Sequence, residues 1–306
     1  MGRRRILEKP TFKKPTTVAI IGEGRLANYL AIALRNAGFR ITEIIARDLP
    51  RSRQRARILA AKVGALAVTA DSAALGATLL WFCVPDGEIR SAASALTDRL
   101  LARPVVGRVV KVRVALHSSG ALSSRELDPL RATGVAVASA HPLMTFVAGA
   151  HPSLTGVPFA VEGDAAALRV ARQMVRELGG DSFVLPATRK AAYHAWATLT
   201  SPLLLAFLVT LEEAARAAGL TRQEGRRKSL PIIRQTLENY SRLGPARSFS
   251  GPLVRGDAAT VAKHLDVLKK HPGAREVYVA LARAALRGLP VKNREVMAKL
   301  LSAVSP

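Results

Sequence analysis

"VAIIGEGRLANYLAIALRNAG", Val18 to Gly38, decides how the rest of the chain is read. A short apolar run breaks at Gly22-Glu23-Gly24 and passes directly into a helical pattern that closes on Gly38. Gly22, Gly24 and Ala27 fit G-x-G-x-x-A between a strand and a helix, the context in which that spacing carries a mechanism. The first glycine permits a tight turn, the second lets backbone approach a pyrophosphate, and the alanine lets helix and strand pack closely. The first helical turn, Arg25 and Leu26 with Ala27, offers free N–H groups and the positive end of the helix dipole to that phosphate.

Working outward, strands are expected over 17–21, 41–46, 66–69, 78–84, 158–162 and 181–185, with further apolar runs at 112–116 and 135–139. Helices over 25–37, 52–63, 71–76, 86–101 and 164–178 alternate with them. That alternation gives an α/β fold, a mainly parallel, doubly wound Rossmann-type sheet. At Pro186 the texture changes, and helical periodicity runs over 188–218, 222–239, 257–270 and 273–287. Thr188 can cap the first of these helices and Gly219 can end it. The expected division is a basic tail over 1–15, a nucleotide-binding domain over 16–187 and an all-α substrate and dimerisation domain over 188–306.

Composition narrows the class. The 306 residues suffice for two domains, and 49% hydrophobic with 5% aromatic content describes an aliphatic α/β protein. The one cysteine, Cys83, excludes a disulfide framework and suits the reducing cytoplasm. "MGRRRILEKPTFKKP" is basic but has no apolar signal segment. "AWATLTSPLLLAFLVTL", 195–211, is apolar, but it contains Pro202 and runs into Glu212 and Glu213. It reads as a helix buried at a domain or subunit interface, not as a membrane span. The net charge of +24 is spread along the chain with no aromatic platform and no zinc spacing. A solvated basic surface that attracts phosphate or carboxylate ligands is therefore favoured over nucleic-acid binding.

The second strand ends in "IIARD", which puts Arg47 beside the adenosine ribose, with Arg51 and Arg53 following. A guanidinium there suits a 2′-phosphate, so NADP is favoured; a one-residue slip to Asp48 would restore an NAD-like acid. "TLLWFCVPD" ends in Val84, Pro85 and Asp86, which should border the cofactor, while Trp81 and Cys83 read as sheet packing.

Chemistry-bearing residues gather in three further places. "LHSSGALSS" holds His117, a candidate proton donor, with Ser118 and Ser119 beside the cofactor. "SAHPLMTF" holds His141 and Thr145, and His141 is a candidate for substrate contact. Lys190, His194, Ala197 and Ser201 recur at helical spacing, flanked by Tyr193. Lys190 and His194 are candidate catalytic groups and Ser201 a substrate contact. His151, His264 and His271 read as surface residues, and the six histidines show no metal-ligand spacing.

"IIGEGRLA", "CVPD", "HSSGAL", "AHPLMTF", "KAAYHAWA", "PIIRQTLENY" and "SGPLVRGDAATVAKHL" together resemble a family of bacterial proteins. In it a Rossmann-like NADP-binding domain is joined to a helical domain of unknown function. Its relatives are pyrroline-5-carboxylate reductase, ketopantoate reductase and the 6-phosphogluconate dehydrogenase superfamily. The resemblance implies cofactor contact at Gly22, Gly24 and Arg47. It places His117, Ser119, His141, Lys190, His194, Arg255 and Asp257 around a cleft between domains. It also implies a homodimer built from the helical domains. "TSPLL" departs from the family pattern, which carries an Asn near the position of Pro202.

The function expected is cytoplasmic, NADP-dependent reduction of a small carbonyl or imine compound, with a ketopantoate-like 2-oxo acid as first choice. His117 or Lys190 would donate the proton and Arg255, with Asp257 nearby, would hold a substrate carboxylate. The alternative is a non-catalytic NADP-binding regulator or scaffold.

Overall fold

The computed structural model describes residues 17–102, 112–150 and 152–303. The basic tail and His151 lie outside the described residues. The chain forms two compact units, Met1–Ala197 and Thr198–Pro306.

The first unit is built on one eight-stranded sheet: β1 (Thr17–Ile21), β2 (Arg40–Ala46), β3 (Leu66–Thr69), β4 (Leu79–Phe82), β5 (Val114–His117), β6 (Ala136–Pro142), β7 (Pro158–Gly163) and β8 (Asp181–Val184). Its order is β3-β2-β1-β4-β5-β6-β7-β8. Helices α1 (Arg25–Asn36), α2 (Pro50–Val63), α3 (Ile89–Leu101), α4 (Asp128–Arg131), α5 (Ala165–Glu177) and α6 (Lys190–Thr200) accompany it. The order reverses at β1, between β2 and β4, which is where doubly wound sheets hold ligands.

The strands are apolar throughout because both faces are covered. In β1, Val18 and Ile20 join one core cluster with α1, α2 and α5, while Ala19 and Ile21 join the other with α3. A strand covered on both faces loses the usual polar alternation. All neighbouring pairs are parallel except β6–β7, which is antiparallel. A parallel step needs a crossover, usually a helix. Among the described residues between β6 and β7 there is none, and the chain turns back on itself.

The helix expected over 71–76 does not form. The Glu43 carboxylate accepts from the backbone N–H of Ala74 at 2.7 Å and of Leu75 at 3.0 Å. Leu75 takes φ +49° with its side chain fully buried. Those N–H groups and that left-handed residue cannot serve a helix.

The helix expected as one piece over 188–218 is two, α6 and α7 (Pro202–Ala217). Pro202 has no N–H to give and takes the first position of α7, whose opening bond runs from Leu205 N–H to Ser201 O at 2.9 Å. Thr188 lies inside a short 3₁₀ turn, Ala187–Arg189, rather than capping a helix. Gly219 ends α7 with φ +77°.

The second unit continues with α8 (Arg222–Leu243), α9 (Pro245–Ser248), α10 (Pro252–Arg255), α11 (Ala258–Val267), α12 (Pro272–Gly288) and α13 (Arg294–Ser302). Its core is small: Val261, Leu265, Val279, Ala282, Leu286, Val291, Met297 and Leu301. The apolar 195–211 stretch is not buried within the chain. Trp196, Leu199, Leu203, Leu205 and Val209 are each about half exposed or more. By length and composition alone 187–217 could cross a membrane; α6 is tied to the sheet of the first unit by the bond from Lys190 to Ser139 of β6.

Candidate functional site

At the switch point, β1 ends in a glycine turn that no other residue could make. Gly22 has φ +113°, and a Cβ there would lie 2.6 Å from the Cys83 carbonyl oxygen. Gly24 faces open space. The N-terminus of α1 has no side-chain cap and no acidic residue in its first turn, so its N–H groups are unopposed. Ala27 is fully buried where α1 packs on the sheet, Arg25 is exposed and Leu26 half-buried.

A cavity of about 610 Å³ opens over this turn. Of the expected cofactor residues, Gly22, Gly24, Arg47, Val84 and Pro85 line it. Sequence reasoning missed Arg55 and Glu88, which also line it. Arg47 donates to Glu88 at 2.7 Å. Arg51 and Arg53 do not line the cavity, and Arg53 instead pairs with Asp48 at 3.1 Å. Asp48, the NAD-like alternative, is thus engaged outside the lining. Burial pushes the Cys83 thiol up to about 12, against a weaker pull from Ser118, so it stays protonated.

Beyond Pro85 the chain meets the loop that follows β5. Ser119 Oγ donates to Asp86 at 2.9 Å and accepts from the N–H of Leu122 at 2.9 Å. Trp81 Nε1 donates to Ser118 Oγ at 2.8 Å. Both serine hydroxyls therefore hold the loop.

His117 is fully buried with both ring nitrogens in use. Its Nε2 donates to Ser123 O at 3.0 Å and its Nδ1 accepts from Ser119 N–H at 3.1 Å. Burial first, then the Lys190 charge, push it down to about 3. A neutral imidazole with no free nitrogen clamps a loop and cannot donate a proton to a ligand, which corrects its expected role.

Lys190 is also enclosed, 1% exposed, with Nζ donating to Ser119 O at 2.7 Å and to Ser139 Oγ. Burial lowers it to about 8, with the Glu162 and Asp86 charges opposing. Glu162 itself is buried and accepts from Ser124 Oγ at 3.0 Å. Lys190 therefore braces the loop from beneath.

His141 is half-buried at the end of β6. Its Nδ1 and the buried Tyr193 hydroxyl share a hydrogen bond of 2.8 Å. Burial, the Lys190 charge and then His194 push His141 down to about 4, and burial raises Tyr193 to about 12. His194 stands edge-on to His141, with ring centroids 6.1 Å apart. Both rings converge on Gly120: a Cβ there would lie 2.6 Å from His194 Cδ2 and 2.9 Å from His141 Nε2. Gly120 is a third residue of the candidate site, after Arg55 and Glu88, to which the sequence reading gave no role.

The remaining candidates are in the second unit. Ser201 precedes Pro202 and does not continue the Lys190 helix face. Asp257 caps α11, accepting from Thr260 N–H at 3.0 Å and Thr260 Oγ1 at 2.7 Å, bonds that hold its carboxyl below its ordinary range. That is a structural use of the carboxylate at the start of α11. Arg255 is exposed at the end of α10. His264 is not a bare surface residue, since its Nδ1 shares a 3.1 Å bond with the Tyr278 hydroxyl. Among the described residues no group of His, Cys, Asp and Glu could hold a metal ion.

A Rossmann-like domain model matches residues 9–142, and the model of a domain of unknown function, DUF2520, matches 157–285. The chain is a Rossmann-like domain followed by a DUF2520 domain. No curated protein matches it. Among solved structures, a Bacteroides fragilis protein described as an NADP oxidoreductase is 21% identical, with TM-score 0.69 over 88% of this chain and 97% of that one. An Aspergillus terreus reductive aminase, solved with NADPH and ethyl-5-oxohexanoate, is 17% identical, with TM-score 0.61 over 95% and 99%. A pyrroline-5-carboxylate reductase of Coxiella burnetii is 14% identical, with TM-score 0.56 over 89% and 98%. At these identities the likeness establishes the shared fold alone.

Proposed function

We propose that this chain is a cytoplasmic NADP-dependent oxidoreductase that reduces a small carbonyl or imine compound. The observation that carries the reading is the uncapped α1 N-terminus beside Gly22, opening on a cavity bordered by Arg47 and Pro85. The residues present fit a dinucleotide. Gly22, Gly24 and the first turn of α1 would hold the pyrophosphate, Arg47 and Arg55 a 2′-phosphate, and Val84 with Pro85 the face toward the nicotinamide. The NADPH complexes among the structural relatives support this assignment.

A bound nicotinamide would supply the hydride; the chain's own residues handle the proton. His141 is neutral, so with Tyr193 donating to Nδ1 its Nε2 carries the proton; Nε2 faces Gly120, and a substrate seated over Gly120 would receive that hydrogen bond. That N–H polarises the substrate oxygen or nitrogen as it gains electron density. A proton leaving Nε2 is matched by one entering Nδ1 from Tyr193, and solvent restores the phenol. Lys190 and His117 hold the loop that carries Gly120, so the donor's position is fixed before substrate arrives. Turnover is tested by following NADPH oxidation with 2-oxo acids, including ketopantoate, and cyclic imines. Turnover that His141→Phe abolishes, with NADPH binding retained, supports the reading. Binding with no turnover across the panel favours a non-catalytic NADP-binding regulator or scaffold instead.

We also propose a homodimer formed through the second unit. Leu203, Leu205, Val209, Ile232, Leu237 and Tyr240 leave α7 and α8 with large apolar side chains about half exposed or more, the kind of surface a second copy would cover. Light scattering that finds a monomer at micromolar concentration contradicts this.

A further inference from the structure

The cation assigned to the 2′-phosphate is already occupied. Arg47 Nη1 donates to Glu88 Oε1 at 2.7 Å, and both side chains line the cavity with Arg55, Gly22 and Gly24. Neither is sequestered: the Arg47 side chain is 55% exposed and that of Glu88 37%. Glu88 stands on a short 3₁₀ turn, Asp86–Glu88, held by its own N–H to Pro85 O at 2.9 Å. Its carboxylate can yield by side-chain rotation, while its backbone stays fixed at the rim. The other charged groups nearby are Glu23, which lines the cavity at the glycine turn, and the Asp48–Arg53 pair outside it.

We propose that Glu88 sets the cofactor preference of this site by competing with the 2′-phosphate for Arg47. The proposal rests on the cofactor reading above and adds a residue that opposes it. An incoming 2′-phosphate must take Arg47 from Glu88 or lie beside a carboxylate of like charge. The 2′-hydroxyl of NADH carries no charge and can donate to Glu88, so it leaves the pair intact. Glu88 thereby keeps NADPH affinity below what Arg47 and Arg55 alone would give, and narrows the gap to NADH.

Like charges about 4 Å apart in water repel by roughly a fivefold factor in affinity, and a phosphate carries up to two charges. Glu88→Gln, which keeps the shape and removes the charge, should tighten NADPH about five- to thirtyfold. NADH should change by less than about threefold, since an exposed ion pair contributes little by itself. Glu88→Asp restores the charge and should stay within about threefold of wild type for NADPH, by the same argument. The test is calorimetric titration of NADPH and NADH into the three full-length proteins at low and high salt, with the Glu88→Gln gain shrinking as salt rises. If wild type binds NADPH and Glu88→Gln binds it no more tightly, this proposal fails and the cofactor reading stands. Equal tightening of both nucleotides means Glu88 repels the pyrophosphate in general, which also overturns it. If neither nucleotide binds any of the proteins, the cofactor reading fails and this proposal with it.

Discussion

Two cations, Arg47 and Lys190, sit at the two ends of the candidate site in opposite surroundings. Arg47 lies at the end of β2, its side chain half exposed, with one ion pair that a ligand can compete for. Lys190 is 1% exposed, and its ammonium is spent on Ser119 O and Ser139 Oγ. Exposed charge at a strand end is available for binding. Buried charge beneath a loop is used to hold shape, because an unpartnered ammonium there would be costly. The same contrast separates His117, closed on both nitrogens, from His141, whose Nδ1 meets the Tyr193 hydroxyl and whose Nε2 faces Gly120.

The largest effect expected is at acid pH. His117 and His141 are held neutral in the folded chain, at about 3 and about 4 against an ordinary 6.5. Their folded values are depressed, so the unfolded chain binds more protons in that window. Stability is full above pH 6.5 and falls as pH drops toward 3, by about 4 kcal/mol from His117 alone. Urea unfolding at stepped pH measures this. A flat profile would put His117 among the exposed groups.

Gly120→Ala comes next. The added methyl meets His194 and His141 closer than any real Cβ contact, so the imidazoles must move. A displacement of about 1 Å at a reacting group costs about 100-fold in turnover, whereas NADPH affinity should change by less than about threefold. Loss of NADPH binding in the variant would join the two ends of the site that this account keeps separate.

Lys190→Met should cost about 1–3 kcal/mol, because Ser119 O and Ser139 Oγ lose their donor inside the protein. The pH signature has a definite sign. Lys190 is lowered from 10.5 to about 8, so between those values the unfolded chain again holds the extra proton and wild-type stability rises. The variant should lack that rise. A variant that keeps the rise, or is as stable as wild type, would show that Lys190 does not brace the loop.

What the sequence made legible follows the same division. The glycine turn, Arg47 after β2 and Val84-Pro85 after β4 were readable because each is fixed by its place along a strand–helix unit. Glu88 and Gly120 were not, since the first matters through a partner far away in sequence and the second through two rings brought in by β6 and α6. His117 and Lys190 were visible as chemistry-bearing residues, but nothing local showed that Ser123, Ser119 and Ser139 would consume their hydrogen bonds. The helix expected over 71–76 failed for the same reason: Glu43, on another element, takes the N–H groups it needed. The break at Ser201-Pro202 was local and could have been read from the proline.

The most direct test of the account is at its exposed end: calorimetric titration of NADPH and NADH into wild type and Arg47→Ala. A charged hydrogen bond to a 2′-phosphate is worth roughly 1.5–3 kcal/mol, or about 10- to 150-fold in affinity. With Glu88 competing for Arg47, the wild-type preference for NADPH should fall near the lower end, about tenfold. Arg47→Ala should erase most of it while leaving NADH affinity nearly unchanged. Equal wild-type affinities, or a preference that survives Arg47→Ala, would contradict the assignment of this cavity to NADP through Arg47.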